Sequence, residues 1–428
     1  MKVVIINKSD STGGAAVVSR RLMYALRDEG IDARMLVCEK LTDSPFVELA
    51  ASTSVIKRKF LIERLRIFIA NGFNRTTLFK IDTGAEGLPL WRHPMVKDAD
   101  AILLNWVNQG MLSLKGVKKI LGLKKPVIWT MHDMWEMTGI CHHAATCVHY
   151  RKKCGNCPLL LKKASPSDLS FKIWNRKNKI YTDSVLSKRL TFVAVSHWLK
   201  GKAQESSLLQ KQKIRVIPNA FELKNFESSI SRECQATEND GKIRILFGAA
   251  RIDDPIKGLT DLKEASGYLK EKYPATSAQL ELVFFGNVKD SDCLKGFSLP
   301  VKYLGVLQGE QQIREAYESS QIVVSASSYE TLPGTLVEAQ AYGCIPVSFN
   351  RGGQGDIVDH LKTGYLAQYS EDIKERAMNL GEGILYAVSI IRDPERHRQM
   401  RGLMKGNVVN KFSYNSVARQ YISLIENL

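Results

Sequence analysis

Residues Gln321 to Asn350 read QIVVSASSYETLPGTLVEAQAYGCIPVSFN: a short apolar run, a polar loop, a small-residue helical pattern and a second apolar run. Two short apolar runs joined through a helix describe parallel neighbours in a buried sheet, because parallel strands need a long crossover. Glu330 then stands at the carboxyl end of the first strand. Pro333 and Gly334 form the turn, the helix begins near Gly334 or Thr335, and Glu338 lies one turn inside it. The same alternation extends through the second half as KIRILFGAAR, LELVFFGN, VKYLGVL and GYLAQ, separated by LTDLKEASGYLKEKY and GEQQIREAYESS.

The first half repeats the pattern with KVVIIN, ARMLVCE, DAILLNW, KPVIWTMH, TFVAVSHW and KIRVIPNA. After the first of these, AAVVSRRLMYALRDEG is a helix whose Val17, Leu22, Ala25 and Leu26 share a face and whose C-terminal stop is Gly30. The fold class predicted is α/β, two Rossmann-like domains in tandem facing across a cleft, with ligands at the carboxyl ends of the strands. The expected divisions are residues 1–220, 221–410, and a C-terminal helix at 411–428 packing towards the N-terminal domain. The polar stretch CQATENDG, Cys234 to Gly241, reads as a linker.

The chain's 428 residues suit two domains of about 200 residues each. No apolar run reaches the length of a membrane span, and MKVVIINKSD reads as a first strand rather than a secretory signal. The net charge of +17 is uneven: residues 1–220 hold 37 Lys and Arg against 17 Asp and Glu, and the remainder 24 against 27. An anionic partner is therefore expected for the first half only. The basic residues are not interleaved with stacking aromatics in any nucleic-acid-binding module, so nucleic acid is not the expected partner.

Around the opening stretch, backbone N–H groups of Gly334, Thr335 and Leu336 are expected to point out of the helix start as an anion site. Glu338 is placed to accept hydrogen bonds from a diol such as ribose. In GAARIDDPIKGL, Arg251 and Lys257 follow the first strand of the second domain, where both can meet a diphosphate.

Taken in order, the R…KG loop, the E-x(7)-E segment, the CIPV strand and the Gly-Gly turn of FNRGGQGD resemble the donor-binding domain of family 4 glycosyltransferases. These are retaining enzymes of GT-B fold. The first half agrees, with Gly13, Gly14 and Ala15 in a Gly-rich loop after the first strand, VIWTMHDMW, AVSHWLK and the Pro-Asn hinge of VIPNAF. The resemblance implies a nucleotide-sugar donor of UDP or GDP type and a saccharide or lipid-linked saccharide acceptor. It also implies no divalent metal required for catalysis, and a place in bacterial surface polysaccharide assembly. It assigns His132 and Glu330 to the transferred sugar. Arg251 and Lys257 go to the departing diphosphate, and Leu332, Pro333, Gly334, Thr335, Leu336 and Glu338 to the rest of the donor. The loop departs from the family in having five residues between Arg251 and Lys257 where four are usual, which can rotate Arg251 away. The alternatives are a GT-B nucleotide-sugar 2-epimerase and a non-enzymatic basic zinc protein that binds nucleic acid.

Asn105, Trp106 and Asn108 in LLNWVNQG read either as an acceptor wall or as a strand end capped by tryptophan. SVIKRKFLIERLRIFIA is a basic amphipathic stretch, suited either to an anionic membrane or to packing on its own domain. With the basic first half it points to a cytoplasmic protein, peripheral to the inner face of the membrane. Finally, CHHAATCVHYRKKCGNCP sets Cys141, Cys147, Cys154 and Cys157 in a C-x(5)-C-x(6)-C-x(2)-C pattern. The closing C-x(2)-C is a common half of a structural zinc site, with His142, His143 and His149 as reserve ligands. Two disulfides or free thiols are the competing readings.

Overall fold

The computed structural model of the protein describes residues 1–223 and 241–428; all of the expected linker except Gly241 lies outside the described residues. The chain forms two compact units, one of Met1–Ala220 with Tyr414–Leu428, the other of Phe221–Ser413.

The first unit is built on seven strands: β1 (Lys2–Ser9), β2 (Asp32–Glu39), β3 (Val47–Leu49), β4 (Ala101–Leu104), β5 (Val127–Met131), β6 (Leu190–Ala194) and β7 (Ile214–Val216). They are ordered β3-β2-β1-β4-β5-β6-β7, with every pairing parallel. β1 is buried from Val3 to Ser9, and its Val3–Ile6 stretch is accordingly an unbroken apolar run rather than an alternation. Helix Gly14–Asp28 covers one face with Ala16, Ser19, Leu22, Met23, Ala25 and Leu26, leaving Val17 half-buried. It stops at Gly30, whose φ of 82° lets its N–H return to the Arg27 carbonyl at 3.0 Å. The last helix, Tyr414–Glu426, completes the same core with Val417, Ala418, Tyr421 and Ile425.

Helix Thr53–Ala70, formed by the basic amphipathic stretch, is turned inside out. It buries Glu63 and Arg64 beside Ile56 and Ile67. Arg64 pairs with Asp82 at 2.5 Å and donates to the Leu78 carbonyl at 2.6 Å. Glu63 accepts from the N–H groups of Thr83 and Glu86 at 2.9 and 3.0 Å, so both buried charges are met. Leu61, Leu65 and Ile69, spaced at i, i+4 and i+8, instead face solvent with 62%, 55% and 52% exposure, and Phe73 and Phe79 extend the exposed apolar surface. Among the described residues, no helix is long and apolar enough to cross a membrane.

The second unit has six strands: β8 (Ile243–Arg251), β9 (Leu280–Asn287), β10 (Val301–Tyr303), β11 (Ile322–Ser325), β12 (Ile345–Phe349) and β13 (Tyr365–Ala367). Their order is β10-β9-β8-β11-β12-β13, again wholly parallel. Helices Leu259–Lys272 and Ile373–Ile391 share a core with β8, β9, β11 and β12, while Gly334–Ala341 packs across the other face with Tyr317 and Val323. In each sheet the strand order reverses at one point, between β1 and β4 and between β8 and β11. Loops leaving the carboxyl ends there diverge and open a crevice.

Candidate active site

At the reversal point of the second sheet, the loop after β8 carries Lys257 and the loop after β11 carries Glu330. The first loop tightens through Asp254, whose carboxylate accepts the Ile256 N–H at 3.2 Å. It ends at Gly258, where φ is 74° and a Cβ would lie 2.0 Å from the Ala326 carbonyl oxygen. No other residue fits there, and this close approach holds Lys257 against the end of β11. The second loop is tied to the first by the Ser328 N–H on the Ile256 carbonyl, 2.9 Å. Lys257 Nζ then donates to Glu330 Oε1 at 2.6 Å. The Gly-Gly turn supports the same glutamate from behind. The Gly353 N–H donates to the Glu330 carbonyl at 2.9 Å, and a Cβ on Gly352 would sit 2.1 Å from that oxygen.

Helix Gly334–Ala341 starts directly after Pro333. One expectation is corrected here: the Leu336 N–H is taken by the Pro333 carbonyl at 3.1 Å, because the first turn closes on itself. The N–H groups at this helix start that remain outside that bond are those of Gly334 and Thr335. The side chains of Leu332 and Leu336 are buried packing. Glu338 accepts a hydrogen bond from the Tyr317 hydroxyl at 3.0 Å, and that ring stacks on Tyr342 with centroids 5.2 Å apart. Nothing in the sequence marked Tyr317, which reads there as one more apolar position of an amphipathic helix.

Arg251 is engaged differently from Lys257. The segment between the two cations contains two aspartates, and both pair with the guanidinium, Asp253 at 3.2 Å and Asp254 at 3.2 Å. β8 also slips register against β9 between Gly248 and Arg251, which re-aims the side chain at the strand's end.

In the first unit, Gly13 and Gly14 follow β1. Gly13 has φ 87°, and a Cβ on either glycine would meet nothing within 4 Å. The Ala16 and Val17 N–H groups both return to the Gly13 carbonyl, so Gly14 and Ala15 present the first N–H groups of the helix. Across the reversal point, β4 and β5 deliver Asn105 and His132, joined from Asn105 Oδ1 to His132 Nε2 at 2.9 Å. Burial lowers the His132 pKa to about 4, outweighing the pull of Asp133. The imidazole is therefore neutral near neutral pH.

Asp133 is the hub beside it. Its carboxylate accepts from the Trp106 indole N–H at 2.9 Å and the Trp135 backbone N–H at 2.7 Å, and lies 2.8 Å from His142 Nδ1. Burial works against the charge on Asp133, but His142 and the Trp135 N–H bring its pKa down to about 2. Burial likewise opposes charge on His142, yet Asp133 raises its pKa above the ordinary value. His142 Nδ1 is thus committed to Asp133, and His142 is not among the residues that line the cysteine recess. Asn105 Nδ2 and both polar side-chain atoms of Asn108 are buried without a hydrogen-bond partner, so polar groups at this strand edge await one.

Cys141, Cys147, Cys154 and Cys157 are all free thiols and line one recess together with His149 and Tyr150. Burial pushes the thiols of Cys141 and Cys154 up to about 12 and about 11. Among the described residues, no three His, Cys, Asp or Glu side chains are arranged as a metal-ligand set. His149 Nδ1 is held by the Gly155 carbonyl at 2.8 Å.

Two family models match the chain: "Glycosyltransferase Family 4" over residues 12–225, half of its length, and "Glycosyl transferases group 1" over residues 231–383. Spore coat protein SA of Bacillus subtilis (strain 168) is 20% identical over 312 residues, spanning 68% of this chain and 78% of the relative. Among solved structures, Anabaena Alr3699/HepE in complex with UDP and glucose superposes with a TM-score of 0.58 at 16% identity, covering 100% of both chains. WaaG, a glycosyltransferase involved in lipopolysaccharide biosynthesis, gives 0.59 at 10% identity, covering 99% of both. At such identities these structures speak to fold, and the fold is GT-B, two Rossmann-like domains.

Proposed function

The chain belongs to glycosyltransferase family 4, and on that premise we propose that it transfers a sugar from a UDP- or GDP-sugar to a saccharide or lipid-linked saccharide with retention of anomeric configuration. The observation that carries the proposal is the Lys257–Glu330 pair at 2.6 Å, set at the reversal point of the second sheet beside a helix start. Cleavage at the anomeric carbon leaves negative charge on the departing diphosphate. A fixed ammonium and the N–H groups of Gly334 and Thr335 stabilise that charge without reorganising. Glu330 accepts hydroxyls of the sugar, and Glu338, steadied by Tyr317, accepts the ribose diol. Gly13, Gly14 and Ala15 allow the phosphates close to backbone. Arg251, already neutralised by Asp253 and Asp254, contributes less than Lys257. In the first unit, neutral His132, oriented by Asn105, serves the transferred sugar as a hydrogen-bonding group rather than an acid, with Trp106 and Asn108 on the acceptor side.

The inside-out helix supports a reaction at the cytoplasmic face of a membrane, as assembly of a bacterial surface polysaccharide on a lipid carrier requires. Leu61, Leu65 and Ile69 offer apolar surface, and exposed Lys57 and Arg58 on the same helix complement anionic headgroups. Vesicles containing anionic lipid are expected to bind the protein in a salt-sensitive way, and Leu61→Glu/Leu65→Glu to stop it. Binding that survives the double change, or self-association in place of binding, would exclude this surface.

The donor assignment is tested by thermal shift with a panel of UDP- and GDP-sugars. A ligand at 100 times its Kd stabilises the native state by about 2.7 kcal/mol. One nucleotide class is expected to raise the melting temperature, and the anomeric proton of the product to keep the donor's configuration by NMR. No shift with any donor, or an inverted product, would defeat the proposal.

A further inference from the structure

We propose that Cys141, Cys147, Cys154 and Cys157 bind one zinc ion as a structural tetrathiolate site, with the buried ammonium of Lys177 as its countercharge. The four thiols border a single recess. Cys154 and Cys157 are brought there by a turn in which Gly155 has φ 150° and Asn156 has φ 48°. Gly155 passes so close to the neighbouring chain that a Cβ would lie 2.7 Å from the Pro166 carbonyl. Two residues between the cysteines let both thiolates reach one tetrahedral ion, whose Zn–S bonds are about 2.3 Å. Binding requires the four thiol side chains to converge on the ion and releases the thiol protons.

A surrounding shell for such an ion is already built. The Gly139 N–H donates to Cys154 Sγ at 3.2 Å, the kind of bond that steadies a metal-bound thiolate. Gly139 has no room for a side chain, since a Cβ would stand 2.4 Å from the Ser170 carbonyl and 3.1 Å from Cys154 Cβ. The other end of the same peptide unit, the Thr138 carbonyl, accepts from Lys177 Nζ at 3.1 Å. Lys177 is completely buried, its ammonium also bonded to the Trp135 carbonyl and lying 3.4 Å from the centre of the Trp135 ring. One peptide unit therefore links the buried Lys177 amine to a cysteine sulfur. A divalent ion with four thiolates carries two net negative charges, and a buried lysine at the far end of that peptide offsets part of them. The ion also fixes Cys141, the neighbour of His142, and so steadies the Asp133–His142 pair beside His132.

The native protein, purified without chelator, is expected to contain about one zinc per chain by elemental analysis. Cobalt exchanged into the site should give a thiolate-to-cobalt charge-transfer band, and a thiol-directed mercurial should release the zinc to a metallochromic indicator. Cys154→Ser/Cys157→Ser should lose the metal; since that variant can also misfold, the cobalt spectrum of the native chain decides independently. Lys177→Met is expected to weaken zinc retention against a chelator about tenfold or more. Folded protein without metal and without a cobalt band, or two disulfides found in unreduced peptides, would overturn the site. Unchanged retention in Lys177→Met would overturn the countercharge.

Discussion

Replacing Lys257 with alanine separates the stability of the site from its chemistry. The ammonium meets Glu330 at 2.6 Å, but 32% of the lysine side chain and 19% of the glutamate side chain are exposed. Solvent screens such a pair, and its contribution to folding is about 0–1 kcal/mol. In a unit of about 200 residues that corresponds to a melting shift of no more than about 2–4 °C. The same ammonium facing a departing diphosphate acts where charge is developing. Loss of one preorganised group of this kind costs about 3–4 kcal/mol, or about 10²–10³ in kcat. Lys257→Ala is therefore expected to fold normally and to turn over about 100- to 1000-fold more slowly, with a smaller change in KM for the donor. Nucleoside diphosphate release at saturating donor measures the first quantity and scanning calorimetry the second. A variant keeping more than about a tenth of the parental kcat would refute the assignment of Lys257 to the leaving group. A melting temperature lowered by more than about 10 °C would mean the pair chiefly holds the fold. Lys257→Ala/Glu330→Gln removes the unpaired carboxylate left by the single change and is expected to restore stability but not turnover.

Tyr317→Phe removes one hydrogen bond to the Glu338 carboxylate and should raise the donor KM by about 10- to 100-fold with kcat nearly unchanged, because a hydrogen bond to a charged group contributes about 1.5–3 kcal/mol; a drop in kcat alone would contradict a binding role. Gly258→Ala puts a Cβ 2.0 Å from the Ala326 carbonyl at a φ of 74°, so a destabilisation above about 1–3 kcal/mol and loss of activity are expected. Denaturant unfolding checks it, and a neutral result would show that the loop after β8 can move freely. For the Asp133–His142 pair, the raised His142 pKa contributes stability below its ordinary 6.5, and that contribution fades as pH rises through the raised value. The depressed Asp133 pKa contributes above its ordinary 3.8 and is lost as pH falls towards about 2. Asp133→Asn should flatten the alkaline decline in melting temperature, and parallel pH profiles for parent and variant would rule the pair out as its cause.

The two sheets were legible because strands buried on both faces must be written in unbroken apolar residues. DAILLNW and QIVVSAS leave little choice but β4 and β11. The three-residue β3, Val47–Leu49, has too few residues for such a pattern to show. At the candidate site, Lys257 and Glu330 were legible through spacing and the glycine beside the lysine. The Leu336 N–H was misjudged, since whether a helix start leaves a donor open depends on how Pro333 turns. Arg251 carried its own warning in the five-residue spacing to Lys257, and two aspartates within that spacing are what pair with it. The orientation of Thr53–Ala70 was the least legible feature. Periodicity reveals that a helix has two faces, but which face is inward depends on partners such as Asp82, Thr83 and Glu86. Buried Lys177 gave no sign of itself for the same reason, its acceptors being backbone carbonyls.

That the helix Tyr414–Glu426 lies in the first unit bears on how the protein is made. Its Tyr421 and Ile425 finish a core that β1 begins. Translation runs from residue 220 to the last helix in about 10–40 s at ordinary rates of synthesis, and for that interval the nascent first unit lacks part of its core. A tag or truncation at the carboxyl terminus would then injure the amino-terminal unit first. Ribosome-bound chains cut short before Tyr414 are the natural place to look for chaperone dependence.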